Sequence, residues 1–197
     1  MRFLLATVGA VALASCGSDR DAQPQDGAEQ SGERPDSPMV TRYDDLAAVV
    51  DANGASPYQG EAIQFGAPRE EVDTAFEQAF GSTPERSTNE ECGAGPMAFS
   101  RFGPLQLGFM DGRFAGWYLQ DSSIGGEGGK DGVATSDGVR PGVTLLSDLK
   151  SERPVRELNT TIDGEFQYET MDYGTITGFA DGDRIVGLQA GIGCVFR

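Results

Sequence analysis

The groups with which this chain of 197 residues could do chemistry are 31 carboxylates and three cysteines, and it has no histidine. Without imidazole the commonest general base is missing, and with it the Ser-His-Asp and Cys-His arrangements and most zinc sites. The sequence holds no Gly-x-Ser-x-Gly elbow and no Ser-x-x-Lys motif, and Lys150 and Ser151 are adjacent, which is the wrong spacing. What remains is carboxylate chemistry, in which one acid protonates a leaving group while a second acts as nucleophile or base, as in glycoside hydrolysis. Glu70, Glu71, Glu90 and Glu91 are the candidates, yet adjacent acids at a helix start or in a loop read first as solvated charge. Gly125-Gly126-Glu127-Gly128-Gly129-Lys130-Asp131 occurs once, without the stacked copies that Gly/Asp calcium repeats need, and no Ser or Thr follows its lysine as in a phosphate loop. Asp181-Gly182-Asp183 is a turn before it is a calcium ligand. The expectation is therefore no catalytic residue, no metal and no cofactor.

The three cysteines have different surroundings. Arg2, the apolar run Phe3 to Leu13 and the small residues before Cys16 form an export signal. The run is shorter than the ~20 residues of a membrane span. Leu13-Ala14-Ser15-Cys16, placed directly after that run, resembles a bacterial lipoprotein signal. The resemblance implies removal of residues 1–15, lipidation of Cys16, and attachment to the bacterial cell envelope through that lipid. Gly17 stands where enteric lipoproteins carry their retention aspartate, which implies the outer membrane, facing the periplasm. In an exported protein the remaining even pair, Cys92 and Cys194, reads as a disulfide. It would close a loop of roughly 100 residues, for which the chain-entropy estimate is about 4–5 kcal/mol. Two free thiols holding a metal is the competing reading, and without histidine they make a poor zinc set.

The net charge of −16 argues against nucleic acid, because neutralising phosphates needs a basic face. It would also repel anionic headgroups, so membrane attachment falls to the lipid on Cys16. An envelope protein is the other partner to expect.

The elements that must position these residues begin after a tether. Residues 16–40 follow the signal with Ser, Asp, Gln, Glu, Gly and Pro and no aromatic residue, too little to bury to offset ordering entropy. A first helix-plus-sheet unit is expected over 41–125, a Gly-rich connector with little to pack over 126–138, and a second unit over 139–197. Asp44 or Asp45 can cap a helix bearing Leu46, Val49 and Val50, with Asn53-Gly54 as its stop. Pro68 suits the first turn of the next helix, Glu70, Glu71 and Asp73 complement its positive end, Val72, Phe76, Ala79 and Phe80 line one face, and Gly81 ends it. From Met97 the period changes. Leu105, Leu107 and Phe109 alternate, Asp111-Gly112 turns the chain, and Phe114 to Leu119 return, which is a strong hairpin pattern. A helix is expected over Thr144–Ser151, then strands at Val155–Asn159, Glu165–Thr170, Gly174–Ala180 and Arg184–Gly191.

Gly108-Phe109-Met110-Asp111-Gly112-Arg113-Phe114-Ala115-Gly116 matches Gly178-Phe179-Ala180-Asp181-Gly182-Asp183-Arg184-Ile185-Val186-Gly187 with Asp183 as one insertion. Upstream, Ile63-Gln64-Phe65-Gly66 and Val139-Arg140-Pro141-Gly142 each precede a helix. Two units in the same order argue duplication. This layout, a short strand, a glycine, a helix and a late Gly-Phe-x-Asp-Gly hairpin, resembles small bacterial envelope proteins. It is similar to the tandem helix-plus-sheet repeat of the β-lactamase inhibitor protein family and to the single unit of the BamE family of assembly lipoproteins. The resemblance implies an α+β fold of two similar helix-plus-antiparallel-sheet units packed as one domain. One disulfide joining the units, Cys92 to Cys194, departs from a bridge within each repeat.

Trp117 and Tyr118 are neighbours on one strand and so face opposite sides of its sheet. Together with Tyr168 and Tyr173 they are the candidate binding surface, since exposed aromatics on a sheet mark partner sites. The expected activity is that of a lipid-anchored, non-catalytic protein-binding or envelope-structural module. A carboxylate-dependent hydrolase of cell-wall glycans is the alternative.

Overall fold

The computed structural model describes residues 46–121, 123, 132–170 and 174–194. Cys16, Tyr173, the expected signal and tether, and residues 126–131 of the Gly-rich connector lie outside the described residues. The chain is α+β, with strands β1 (Leu46–Asp51), β2 (Gly54–Pro57), β3 (Ile63–Gln64), β4 (Glu85–Asn89), β5 (Met97–Phe102), β6 (Leu105–Met110), β7 (Arg113–Gln120), β8 (Gly132–Thr135), β9 (Val155–Glu157), β10 (Glu165–Glu169), β11 (Thr175–Asp181) and β12 (Arg184–Gly191). Helix α1 spans Arg69–Phe80 and α2 spans Leu146–Glu152. The strands form a four-stranded sheet ordered β3-β2-β1-β8 and an eight-stranded sheet ordered β4-β5-β6-β7-β12-β11-β10-β9.

Local chemistry explains most of these elements. Pro68 caps α1 in an extended conformation, Glu70 and Glu71 occupy its first turn, and Gly81 stops it with a left-handed φ of 65°. The turn between β6 and β7 needs positive φ at both central residues, and Asp111 (49°) and Gly112 (73°) supply it. Helix α2 receives its cap from another element. Asp183, in the β11–β12 turn, accepts from the Ser147 backbone N–H at 2.8 Å and from its hydroxyl at 2.7 Å. That assigns the Asp181-Gly182-Asp183 turn a structural task.

Two expectations are corrected. Residues 46–51 form β1, not a helix. Leu46, Ala47, Ala48 and Val50 are all buried, and apolar spacing that fits one helix face also fits a strand covered on both sides. Asp51 pairs with Gly54 across a two-residue turn, and its carboxylate accepts from the Asn53 N–H at 2.7 Å, so Asn53-Gly54 closes a hairpin. The connector is likewise not all loop, because Gly132–Thr135 pairs in parallel with β1 and buries Val133, Ala134 and Thr135. The edge strand β4 has an exposed sequence, Glu-Arg-Ser-Thr-Asn, without apolar alternation.

One face of the eight-stranded sheet, the inner face, packs under α1, α2 and the small sheet. Leu105, Leu107, Phe109, Phe114, Trp117, Leu119, Phe166, Tyr168, Ile176 and Leu188 meet Val72, Phe76, Leu149, Ala48 and Val50 there. An ionic staple joins α1 to two strands. Asp73 pairs with Arg69 at 3.4 Å and with Arg86 of β4 at 3.1 Å, while Arg69 donates to Ser100 at 3.0 Å and lies 4.9 Å from the Phe109 ring centre. Cys92 and Cys194 form a disulfide across 102 positions of sequence.

Candidate functional site

Strand alternation places a second set of residues on the face turned away from the helices. The cross-strand pairs Phe99–Gly108, Gly108–Gly116, Gln106–Tyr118, Tyr118–Gln189 and Gln189–Thr177 run across its middle. These residues are amides, aromatics, glycines and one threonine, and none of them is charged. The C-terminal segment after β12 folds over this outer face. The Ile192 N–H donates to the Ala115 carbonyl at 2.8 Å, and Asn89 donates to Cys194 Sγ at 3.2 Å. Only glycine permits the crossing at position 116, because a Cβ there would stand 2.4 Å from the Ile192 carbonyl oxygen. Cys92, Met97, Phe99, Met110, Ala115 and Cys194 make a small apolar cluster beneath and beside the crossing.

Between this strap and the centre of the sheet lies a cavity of about 280 Å³. Gly108 and Gly116 are its floor; Phe99, Phe179, Ile192, Gly193 and Cys194 give apolar walls; Gln106, Tyr118 and Gln189 give polar ones. None of these residues is charged. Gln189 is only 9 % exposed although it faces away from the core, which shows how concave the face is there. Arg101 Nη2 donates to Gln106 Oε1 at 2.6 Å. Burial pushes the Tyr118 hydroxyl above its ordinary value of 10.0, against the opposing pull of Arg101, so at neutral pH it keeps its proton and can donate a hydrogen bond. Its ring lies 6.4 Å from that of Phe179. The arrangement offers hydrogen bonds and aromatic surface, and no group for proton transfer near pH 7.

No protein family matches the chain, and no curated protein or solved structure matches it either.

The structure divides the expected surface. Tyr118 stands on the outer face and lines the cavity. Trp117 and Tyr168 are buried, each 2 % exposed, so neither offers an exposed aromatic face, although Trp117 also borders the cavity. The Trp117 indole donates to the Asp51 carbonyl at 2.7 Å and so ties the two sheets together. The Tyr168 hydroxyl lies 3.5 Å from Asp137 Oδ1, in a cluster where Asp137 also pairs with Arg153 at 3.0 Å and accepts from Thr135 at 2.6 Å. Burial first, and then the neighbouring Asp137 charge, hold the Tyr168 hydroxyl far above its ordinary value. Gln106, Gln189, Phe99 and Phe179 were not singled out by sequence. Their signal was present as polar or aromatic positions alternating with Leu105, Leu107 and Leu188, but alternation does not say which polar face is concave.

The candidate carboxylates do not meet in the cavity. Glu70 and Glu71 are exposed on the first turn of α1, and Glu90 and Glu91 are exposed after β4. A separate depression beside α1 is lined by Glu61 and Glu71 with Tyr58 and Ile63, and both acids are solvent-facing. Among the described residues no cluster of three or more His, Cys, Asp or Glu side chains could hold a metal, and no helix is long and apolar enough to cross a membrane.

Proposed function

We propose that this protein is a lipid-anchored binding module of the bacterial cell envelope that works without catalysis through the outer face of its eight-stranded sheet. The observation that carries the reading is the uncharged, glycine-floored cavity on that face, in a chain whose net charge is −16. Binding sites are concave, largely apolar and fitted with a few polar groups, and Ile192, 46 % exposed on the rim, extends the apolar surface outward. The Glu61 and Glu71 depression supports hydrolysis less well, because a carboxyl serving as general acid needs a desolvated setting.

The same reading includes an origin by duplication. Its support is the sheet order, which reads alike from either edge toward the β7–β12 pair. Matching contacts add to it. Gly66 N–H donates to Phe114 and Gly142 N–H to Ile185, both at 2.7 Å, while Arg69 N–H donates to Gly112 and Leu146 N–H to Asp183, at 2.9 and 2.8 Å. The register also shifts once in each hairpin, at Gly108/Phe109 and at Phe179/Ala180. In this reading lipid on Cys16 supplies the anchor, and a partner in the envelope occupies the face.

Site-specific photo-crosslinking in intact cells tests the function. A photoreactive residue at Gln120 or Gln167, on the outer face, should give one discrete crosslinked protein, and the same group at Glu70 or Gln78 on α1 should not. Equal products from both faces, or none from the outer face, would remove the proposal. Mass analysis of the mature N-terminus tests the anchor, since an unacylated Cys16 contradicts it.

A further inference from the structure

We infer that the outer face receives the C-terminal residue of a partner protein, with its apolar side chain in the cavity and its carboxylate on Arg101 and Gln106. The inference rests on the binding reading above and names the part of the partner that the face holds.

Charge selects the ligand. Arg101 stands two residues from Phe99 on the same face of β5 and is the cross-strand partner of Gln106, so it borders the cavity at one corner. Arg69, Arg86, Arg153 and Arg184 each hold a carboxylate. Arg101 is half-buried and holds none among the described residues; Glu85, opposite it on β4, is exposed and forms no ion pair with it. Its charge reaches into the cavity, where it pulls the Tyr118 hydroxyl down against burial. A guanidinium offers five N–H donors in a fork that matches a carboxylate, and Arg101 commits Nη2 to Gln106 Oε1 at 2.6 Å. That bond leaves the Nε2 donors as the free end of the Gln106 amide. A cationic donor beside a neutral one is an acceptor site, and its complement is an anion. The anion must bring an apolar body, because Phe99, Phe179 and Ile192 wall the space next to it over a glycine floor. At about 280 Å³ that space falls below the ~300–1,000 Å³ of ordinary ligand pockets, which suits one large side chain.

The row of side chains leading away from Arg101 makes that carboxylate the end of a polypeptide. Gln106, Tyr118, Gln189, Thr177 and Gln167 follow one another as cross-strand partners, over roughly 24 Å at about 4.8 Å per strand. Gln167 Nε2 donates to Thr177 Oγ1 at 3.2 Å. Amides and hydroxyls donate and accept, as a peptide backbone does, so about seven extended residues before the terminus would find partners there. The alkyl chain of a fatty acid would desolvate the same groups without replacing their hydrogen bonds. An internal aspartate or glutamate brings no apolar side chain of its own to the cavity.

The test uses the full chain, labelled with ¹⁵N, and the peptide acetyl-Ala-Gln-Ala-Phe with either a free C-terminal carboxylate or a C-terminal amide. The free acid should shift the Gln106 side-chain amide and the Gly108 and Gly116 backbone amides saturably, and should bind about tenfold tighter than the amide form, as a charge-assisted pair requires. Arg101→Gln should abolish that preference, leaving the two forms equal, whereas loss of a merely structural arginine would weaken both in parallel. Gln106→Glu, which hands Arg101 a carboxylate of its own, should also remove the preference and serves if Arg101→Gln does not fold. No saturable shift, equal binding of acid and amide by the parent, or a preference that survives in both variants would overturn the inference. Binding of 3-phenylpropanoate as tight as that of the acid peptide would overturn it as well, by making a free acid the ligand. So would a peptide that binds only after deletion of residues 195–197, by making the end of this chain the occupant. Outer-face crosslinking that persists while the peptides fail would leave the binding reading standing and this inference refuted.

Discussion

Gly178→Ala should destabilise the protein because a single methyl group would enter space held by Phe166. The two residues are direct cross-strand partners on β10 and β11. A Cβ at position 178 would stand 2.1 Å from Phe166 Cζ and 2.6 Å from each Cε, against a carbon contact of about 3.5–4.0 Å. The ring must therefore recede by more than about 1 Å, and Phe166 is fully buried among core neighbours, so no open side receives it. Overpacking of this kind costs ~1–3 kcal/mol. Three ring atoms clash at once, which argues for the upper end, and the ~0.5–1 kcal/mol that alanine gains over glycine inside a strand offsets part of it. The expected net loss is about 2 kcal/mol. At ~2–4 °C per kcal/mol for a domain of this size, Tm should fall by roughly 4–8 °C. Phe166→Leu removes the obstructing ring atoms, so the double variant should be more stable than the summed single effects by about 1 kcal/mol or more. Urea unfolding with the disulfide intact, read as a change of midpoint at constant slope, measures all three. A Gly178→Ala variant within ~0.5 kcal/mol of the parent, or strictly additive effects, would show that the ring yields freely and that the core is not packed as described.

Three further outcomes follow from the same structure. Replacing Cys92 and Cys194 by alanine frees a loop of 102 positions and should cost about 4–5 kcal/mol by chain entropy, visible as a lower urea midpoint; a loss below ~1 kcal/mol would mean that strain or residual unfolded structure cancels the constraint. Burial alone would raise the Asp121 carboxyl, but hydrogen bonds from Ser123 and the Arg184 charge outweigh it and hold the group below its ordinary value of 3.8. Its contribution is then complete above that value and lost as pH falls through the depressed one, so Asp121→Asn should flatten the loss of stability below about pH 4, and an unchanged acid limb would contradict the pairing. At the other end, the raised Tyr168 keeps its proton in the folded state while the unfolded chain ionises near 10.0; stability should decline above about pH 10, by one proton less in Tyr168→Phe, and identical alkaline slopes in urea titrations would refute this.

Residue chemistry along the chain was enough to locate α1 from Pro68 to Gly81, the Asp111-Gly112 hairpin, the later strands and the even cysteine pair. Each of these depends on neighbours within a few positions, or on parity, and so is legible without coordinates. β1 was not, because Leu46, Val49 and Val50 satisfy both a helix face and a doubly covered strand. What decided between them was the pairing of β1 with β2 and, across more than eighty positions, with β8. β4 was illegible for the opposite reason, having no apolar pattern at all and owing its place to the ladder with β5 and to the Arg86–Asp73 pair.

The division is sharpest at the candidate site. Alternation alone required Trp117 and Tyr118 to point to opposite faces. It could not say that Trp117 would meet the Asp51 carbonyl or that Tyr118 would edge a cavity, because burial depends on what other segments cover each face. Gly116 gave no local sign of its task, which exists only because Ile192 crosses over it on the way to the disulfide. Composition settled that the chain has no imidazole, and local spacing located α1, the Asp111-Gly112 hairpin and the later strands. Contacts between residues far apart in sequence settled which of its aromatics and amides face an opening, since concavity is a property of the assembled sheet and of the strap laid across it.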